Sequence, residues 1–451
     1  MPKIGRFLFA SFVLFCLSVA GPPPATADPP PSDPQLAALV EEALRVNPDV
    51  LAASEGLSAA RQRPAQARSL ANPMVSAGYT NDGWKPTLGA RDMTTLAIMG
   101  SQELPYPGKR RLRGEIAESE TREIEQRLER VKLGVAASVR RSYAGLLLAR
   151  ELLVLARQRQ DAWEQIEEIV RARYALGQGT QQDVVKAQVE VSRSGLLMIE
   201  RGADELIRIA ELNGLLARPA DQPLDTTPSR LSMVPVTETL EAAIERLNAL
   251  SPEVKMTSLT EGRGSLGVDL ARTSFKPDFT VQAAYMNRGG LDPMWQAAIG
   301  VSLPLYRKRL RAEVAEAESL RASAQRSVES VRLVLRSRTQ QRLAALSAAE
   351  RSLSVFDERI IPQDRLAVDS ALASYRSAQL PFVAVLESAT ALYDDLAARL
   401  TLMASHVAVR ATLDEASLAD QPPMASSFSP GSTGGSMAGG AAAASMPRSR
   451  E

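Results

Sequence analysis

Cysteine, histidine and aromatic residues are scarce in this chain. Its 451 residues include one cysteine and one histidine, and aromatic residues make up 4%. A disulfide, a structural zinc site of cysteine and histidine ligands, and a Cys/His catalytic pair are therefore excluded within a single chain. With 23% charged residues, the composition suits long exposed helices better than a thick globular core.

The chain also lacks an excess of one charge and a long apolar run. Lys+Arg total 53 against 52 for Asp+Glu, so nothing global indicates a nucleic-acid partner. The apolar run Phe7 to Ala20 follows Lys3 and Arg6 and is too short to span a bilayer. It precedes the cleavage-type triplet Ala25-Thr26-Ala27, which predicts a signal peptide over 1–27 and export of the rest.

Cys16 lies inside this apolar run, so cleavage leaves a cysteine-free protein. A lipoprotein would instead carry an acyl chain on Cys16. Because the bulky Phe15 directly precedes it, we favour cleavage over lipidation.

An internal repeat is the most informative feature of the sequence. Four landmarks recur in the same order about 200 residues apart. These pairs are Pro48 and Pro252, Pro73 and Pro277, Leu104-Pro105 and Leu303-Pro304, and Tyr174 and Tyr375. The repeat predicts two structural units, 28–225 and 226–418. The remaining residues 419–451 are rich in Gly, Ala, Ser and Met and are predicted to be disordered.

Each unit is predicted to contain a helix, a β-hairpin and a long helical hairpin. Apolar and polar residues alternate at about 72–104 and 277–305, in runs close to the roughly 9–11 residues that a tilted membrane strand needs. The helical hairpins are predicted at 108–216 and 308–415. The first would begin with a helix on the order of 100 Å long, and Pro362 should kink the second.

Four strands are too few to close a membrane barrel, and open strand edges are not tolerated in lipid. If these strands lie in a membrane, several chains must therefore share one barrel. A periplasmic coiled-coil scaffold with small hairpins and no pore is the alternative. An envelope hydrolase lacks a nucleophile–base pair, since His406 stands alone. We predict no catalytic residue and no metal site.

The layout resembles the TolC-type outer-membrane efflux proteins. The resemblance rests on the strand-to-helix segment Leu104-Pro105-Tyr106-Pro107-Gly108-Lys109 and on Tyr174-Ala175-Leu176-Gly177 leading to Gln182–Gln188. It implies a mainly α fold with a small β part, without a cofactor. It also implies that long antiparallel coiled-coil helices form a periplasmic tunnel below a trimeric, twelve-stranded barrel in the outer membrane of a Gram-negative bacterium.

The same resemblance implies partners. They are two further copies of the chain, a periplasmic adaptor (membrane fusion) protein, a proton-driven inner-membrane transporter and outer-membrane lipids. The overall pattern resembles members that are paired with heavy-metal pumps. A type I protein-secretion exit duct stays open as an alternative.

The turns of the two helical hairpins are the candidate docking sites. In the first turn they are Gly177, Gln178, Gly179, Thr180 and Asp183; in the second they are Gln379, Leu380 and Pro381. The simpler interpretation is that Gly177 and Gly179 only supply turn conformations. Leu380-Pro381 replaces Gly179-Thr180 in the second turn, so its contacts should differ.

Two basic clusters, Lys109-Arg110-Arg111 and Arg307-Lys308-Arg309, begin long helices. The helix dipole disfavours cations there, so we predict that they meet lipid phosphates at the membrane interface. A solvated basic turn is the alternative.

Two further sets of polar or sulfur-bearing residues are candidate sites. Asp183 could contribute to an acidic ring in a trimer, but we favour a solvated helix face both for it and for Asp394-Asp395. In the tail, Met424, Met437 and Met446 could bind Cu(I), although their spacing is irregular.

Overall fold

The computed structural model describes residues 33–88, 91–226, 230–416 and 418. The predicted signal peptide with Cys16 and the predicted tail with Met424, Met437 and Met446 lie outside the described residues. The described part is mainly helical and carries one small β-sheet.

The same order of elements occurs twice. The first series is α1 (Pro34–Val46), α2 (Pro48–Ala60), α3 (Arg63–Arg68), β1 (Met74–Thr80), β2 (Thr95–Leu104), α4 (Lys109–Ala175) and α5 (Gln181–Leu215). The second is α6 (Leu240–Leu250), α7 (Pro252–Thr273), β3 (Asp278–Arg288), β4 (Leu291–Ser302), α8 (Arg307–Val355), a π-helical turn (Phe356–Ile360), α9 (Ile361–Arg376) and α10 (Phe382–Asp414). The predicted fold class, mainly α and internally duplicated, is confirmed.

Prolines start helices at equivalent places in the two series. Pro48 is the first residue of α2, where the Asn47 side chain accepts a hydrogen bond from the Asp49 amide at 3.0 Å. Pro252 begins α7 behind the Ser251 cap. Proline has no N–H to lose at this position, and its fixed φ suits a first helical turn.

All four strands form one antiparallel sheet in the order β1-β2-β3-β4. In the described chain β2 and β3 pair on both sides, whereas β1 and β4 each have one free edge. One row of partners across the sheet is Ala77, Ile98, Tyr285 and Trp295. The sheet joins the hairpins of the two series.

The helices pack along their length around small apolar clusters. One joins α1, α2, α4, α5 and α10, a second lies beside the turns after α4 and α9, and a third joins α6, α8 and α10. Helix α4 spans 67 residues, which corresponds to about 100 Å. Of the helices in the described ranges, none has an apolar stretch that meets the length and hydropathy needed to traverse a membrane.

Pro362 is accommodated by the π-helical turn that precedes it. Because proline lacks an N–H and its ring clashes with the carbonyl four residues earlier, an α-helix cannot continue unchanged through it. The turn Phe356–Ile360 widens the helix before α9 begins at Ile361. Such π-helical insertions are a recognised cause of helix kinks.

Candidate functional site at the helical turns

The first turn, between α4 and α5, is closed by its own backbone. Gly177 has φ +71° and donates its N–H to the Tyr174 carbonyl at 2.9 Å, and the Gln178 amide donates to the Arg173 carbonyl at 2.9 Å. This pair of bonds is a Schellman C-cap. Gly177 therefore supplies a turn conformation, which is the simpler of its two interpretations from the sequence.

Thr180 and Asp183 begin α5 as a capping box. The Thr180 hydroxyl accepts from the Asp183 amide at 3.2 Å, and the Asp183 carboxylate accepts from the Thr180 amide at 3.4 Å. The Asp183 amide also donates to the Thr180 carbonyl at 3.2 Å, whereas the Thr180 amide precedes the helix and has no intrahelical acceptor. The carboxylate of Asp183 is thus engaged at the helix start.

The second turn, between α9 and α10, repeats the C-cap with a different residue. Ala378 has φ +61° and donates to the Tyr375 carbonyl at 3.1 Å, while Gln379 donates to the Ser374 carbonyl at 2.8 Å. Pro381 occupies the N-cap of α10 without a side-chain hydrogen bond. The two turns therefore share a backbone shape and differ in how the next helix starts.

Arg173 holds the two turns side by side. Its guanidinium donates to the Gln178 carbonyl at 2.8 Å and also to the Tyr375 carbonyl of the other hairpin. It lies 4.3 Å from the centre of the Tyr375 ring. Arg173 is 9% exposed and Tyr375 2% exposed, so this contact is shielded from water. Arg173 is not among the residues predicted from the sequence, although the repeated Tyr174 and Tyr375 lie beside this contact.

The surface beyond this contact is partly apolar. Two apolar side chains face water at the turns: Leu176 is 72% exposed and Leu380 is 42% exposed. Behind them Phe382 is buried, with its ring 5.6 Å from that of Tyr375. Gly177, Gln178, Thr180, Gln379 and Pro381 are also exposed, while Gly179 and Asp183 are half-buried. The candidate residues of both turns thus form one surface at the same end of the molecule.

Asp394 and Asp395 have different partners. Asp394 accepts a hydrogen bond from Arg159 on α4 at 2.9 Å, whereas Asp395 meets Asp364 on α9. Burial, and next the hydrogen bond and negative charge of Asp395, raise the pKa of the Asp364 carboxyl. The carboxylate pair lies across two helices, which sequence spacing alone did not reveal.

The basic clusters lie at the opposite end of the rods, where strands lead into helices. Lys109 is buried, and its ammonium lies 2.9 Å from both carboxylate oxygens of Asp278, the first residue of β3. Asp278 also accepts from the Tyr106 amide at 2.7 Å. Lys109 therefore ties α4 to the second β-hairpin, and its ammonium faces protein.

The other basic residues divide between protein contacts and exposed positions. Arg110 donates to the Arg68 carbonyl at 2.7 Å, and Arg111 pairs with Glu115 at 2.6 Å. The Arg307 guanidinium lies 5.6 Å from the Phe275 ring centre. Lys308 and Arg309 are exposed. Lipid contact stays a proposal for the exposed members Arg111, Arg307, Lys308 and Arg309.

Known proteins resemble this chain in sequence and in fold. Residues 39–217 match the model of the outer membrane efflux protein family. The first of the two series of elements is therefore similar to this family. It is 24% identical over 406 residues to the pyoverdine export outer membrane protein OpmQ of Pseudomonas aeruginosa, covering 82% of each chain.

Solved structures with the same fold include outer membrane channels. VceC of Vibrio cholerae superposes with a TM-score of 0.72 at 18% identity, over 85% of this chain and 95% of VceC. MtrE of Neisseria gonorrhoeae gives 0.70 at 16% identity, over 85% and 88%. These likenesses show that the chain has the fold of such channels.

The one histidine of the chain has a packing role. His406 is 1% exposed, and its Nε2 lies 3.1 Å from Glu350, which also accepts from the Val236 amide at 2.8 Å. Glu350 on α8 thus joins His406 on α10 to the segment that leads from α5 to α6. Within the described ranges, no three His, Cys, Asp or Glu residues are grouped so as to hold a metal ion.

Proposed function

We propose that this protein is an outer-membrane efflux protein, the channel of a tripartite pump. Three copies share one barrel and passively conduct solutes that an inner-membrane transporter expels through a periplasmic adaptor. The observation that carries this proposal is a four-stranded sheet with two free edges and one largely apolar face.

The apolar face follows from the register of the strands. Its apolar members are Val75, Ala77, Tyr79, Leu96, Ile98, Leu104, Phe279, Val281, Ala283, Tyr285, Trp295, Ala297, Ile299 and Val301. Gly100, Gln102 and Asn287 lie on the same face. Trp295 and Ile299 are 81% and 75% exposed. Exposed apolar residues on one strand face suit contact with lipid, whereas the opposite face carries Ser, Thr and Gln residues suited to water.

The free edges require that more than one copy share the barrel. An unpaired edge in lipid leaves backbone N–H and C=O groups without partners, at a cost of several kcal/mol each. Pairing β4 of one copy with β1 of the next removes both edges once the ring closes. Three copies give the twelve strands that the family resemblance implies, which exceeds the roughly eight strands of the smallest membrane barrels.

The helical turns are the proposed docking surface for the adaptor. They lie at the end of the rods away from the sheet, and they expose Leu176 and Leu380 to water. A partner that covers these side chains gains the free energy of their burial, about 25 cal/mol per Å² of apolar area. Docking would then bias the turns between a closed and an open arrangement.

Native mass spectrometry of protein extracted from the outer-membrane fraction in mild detergent tests the channel. We expect a three-subunit particle that requires detergent. A monomer or dimer recovered in buffer without detergent would refute the shared barrel and favour the periplasmic scaffold.

Cysteine cross-linking tests the edge pairing directly, because the predicted mature chain has no cysteine of its own. Ser76→Cys on β1 is combined in turn with Gln296→Cys, Ala298→Cys or Gly300→Cys on β4. At least one pair should yield a covalent trimer, since adjacent strands bring Cα atoms within the roughly 4.4–6.8 Å that a disulfide spans. Gly100→Cys with Ala283→Cys, direct partners on β2 and β3, is the control and should cross-link within one chain only.

The cargo is proposed to be heavy-metal ions. A type I secretion duct is the alternative, and export of a polypeptide through the channel by otherwise deficient cells would favour it.

A further inference from the structure

The inner face of the sheet carries methionine residues. In β1 and β4 the single half-buried positions are Ser76 and Ala298, and in β3 the residues Gln282, Ala284 and Met286 are half-buried while their neighbours are exposed. The strand register places all of these on one face. In β1, β3 and β4 this face is thus the more shielded one, and in the proposed channel it would line the lumen of the closed barrel.

Three methionines on this face form a diagonal row across three strands. Met286 on β3 is the direct partner of Met294 on β4. Met99 on β2 is the partner of Ala284, two residues from Met286. Direct partners have Cβ atoms about 4.5–5.5 Å apart and diagonal neighbours about 7–8 Å, which long side chains can bridge.

Small residues leave room for these side chains to converge. Ala97 faces Met286 across β2 and β3, and Ala284 faces Met99. The residue paired with Met99 on the other side is Ser76. A methionine has three rotatable bonds and fills irregular space readily, so the thioethers of neighbouring strands can approach one another above these small side chains.

The row lies towards the outer mouth of the channel. Met286 and Met294 flank the tight turn between β3 and β4, at the end of the sheet opposite to the helices. Met99 lies about midway along β2. A solute leaving the tunnel would pass Met99 first and the Met286–Met294 pair afterwards.

Thioethers are the only soft donors on this path among the described residues. Soft sulfur ligands select monovalent copper and silver over hard cations, and the sole histidine is buried between α8 and α10. We propose that Met99, Met286 and Met294 form a binding site for Cu(I) or Ag(I) on the lumen face, used as the ion leaves. This inference rests on the proposed channel and names the class of cargo.

The lumen site should bind weakly enough to release its ion. Conduction requires binding that is favourable enough to admit an ion and weak enough, over several positions, to let it go. Neutral thioethers suit this requirement better than thiolates, which hold such ions tightly. Three copies of the row around one barrel would offer an ion several equivalent places.

Silver binding to the purified full-length mature protein in detergent tests the proposal, with Ag(I) as a redox-stable probe. The test variant is M99L/M286L/M294L, in which leucine retains volume and apolarity but removes sulfur. The matched control is M424L/M437L/M446L, which removes the same number of thioethers from the tail. Bound silver is measured by equilibrium dialysis in chloride-free buffer, and single-channel current is recorded with and without silver.

We expect the wild type and the tail control to bind about one silver ion per chain and the lumen variant to bind almost none. Silver should reduce the current of the wild type and leave that of the lumen variant unaffected. Should the triple variant not assemble, M286L alone should show weaker silver binding and weaker block, because it removes the centre of the row.

Equal silver binding by the wild type and the lumen variant would overturn the metal site, as would loss of binding in the tail control alone. Either result with an intact conducting trimer would leave the channel proposal standing. Failure to find a trimer by native mass spectrometry would refute the channel itself, and the two failures are therefore distinguishable.

Discussion

Gly177 and Ala378 occupy the same place in the two helical turns, each with positive φ. An L-residue in the left-handed region costs about 1–2 kcal/mol relative to the right-handed one. Glycine avoids this cost and alanine does not. The second turn is consequently the more strained of the two, and the sequence difference between them has a measurable consequence.

Exchanging these residues should change the stability of the turns in opposite directions. Ala378→Gly should strengthen the second turn by up to about 1 kcal/mol, and Gly177→Ala should weaken the first by a similar amount. Amide hydrogen exchange at Gln178 and Gln379, which donate the closing bonds, reports each turn separately. A change of the same sign in both variants would contradict the strain argument.

Asp364 and Asp395 give the α9–α10 pair a pH dependence. Because the folded-state pKa of Asp364 is raised, the pair contributes stability below the ordinary carboxyl pKa of about 4. That contribution is lost as the pH rises through the raised folded pKa, since two carboxylates then face each other. The contribution of Asp364 to the stability of the α9–α10 pair should therefore be larger in acid than at neutral pH.

Asp364→Asn should remove that dependence. The amide can still donate to Asp395 and carries no charge, so the variant should gain stability near pH 7 and lose the gain below about pH 4. Thermal unfolding followed by circular dichroism at both pH values measures it. Asp369→Asn, on an exposed position of the same helix, is the control and should show no such difference.

At the scale of elements, the junction between strands and helices depends on one buried ion pair. Lys109 at the start of α4 is 8% exposed in its side chain, and its partner Asp278 is 45% exposed. A buried cation without its partner is costly, whereas a pair that is open to water on one side is worth less than a fully buried one. The pair therefore stabilises the angle between rod and sheet more than it stabilises the chain overall.

Asp278→Asn should weaken this junction by roughly 1–2 kcal/mol, because Lys109 keeps its charge and loses its carboxylate. The yield of folded trimer in the outer membrane, assayed by heat-dependent mobility in gel electrophoresis, should fall. Lys255→Gln, at an exposed position on α7 outside both basic clusters, is the control and should leave the yield unchanged. If lipid phosphates hold the exposed basic residues, substituting Arg111, Arg307, Lys308 and Arg309 together by Gln should also lower the yield.

At the scale of the whole molecule, the rods place a partner surface far from the membrane. Leu176→Glu with Leu380→Glu should reduce efflux while leaving trimer yield unchanged, because the charges oppose burial of both turns by an adaptor. Growth in the presence of a toxic cargo, in cells that carry the complete pump, measures efflux.

The control variant, Gln340→Glu with Gln341→Glu, adds the same charge at exposed positions on α8 away from the turns and should have little effect. Equal loss in both variants would argue against docking at the turns.

The sequence alone determined the duplicated, mainly helical fold, because its repeat and its apolar periodicity are local along the chain. It also located the strands and both turns. The partners of Lys109 and Arg173 were decided only by the tertiary structure, since Asp278 and Tyr375 lie some 170 and 200 residues away along the chain. The same holds for Asp364 with Asp395 and for the methionine row. Periodicity fixes which face of an element a residue occupies, whereas the register and packing of distant elements decide which side chains meet there.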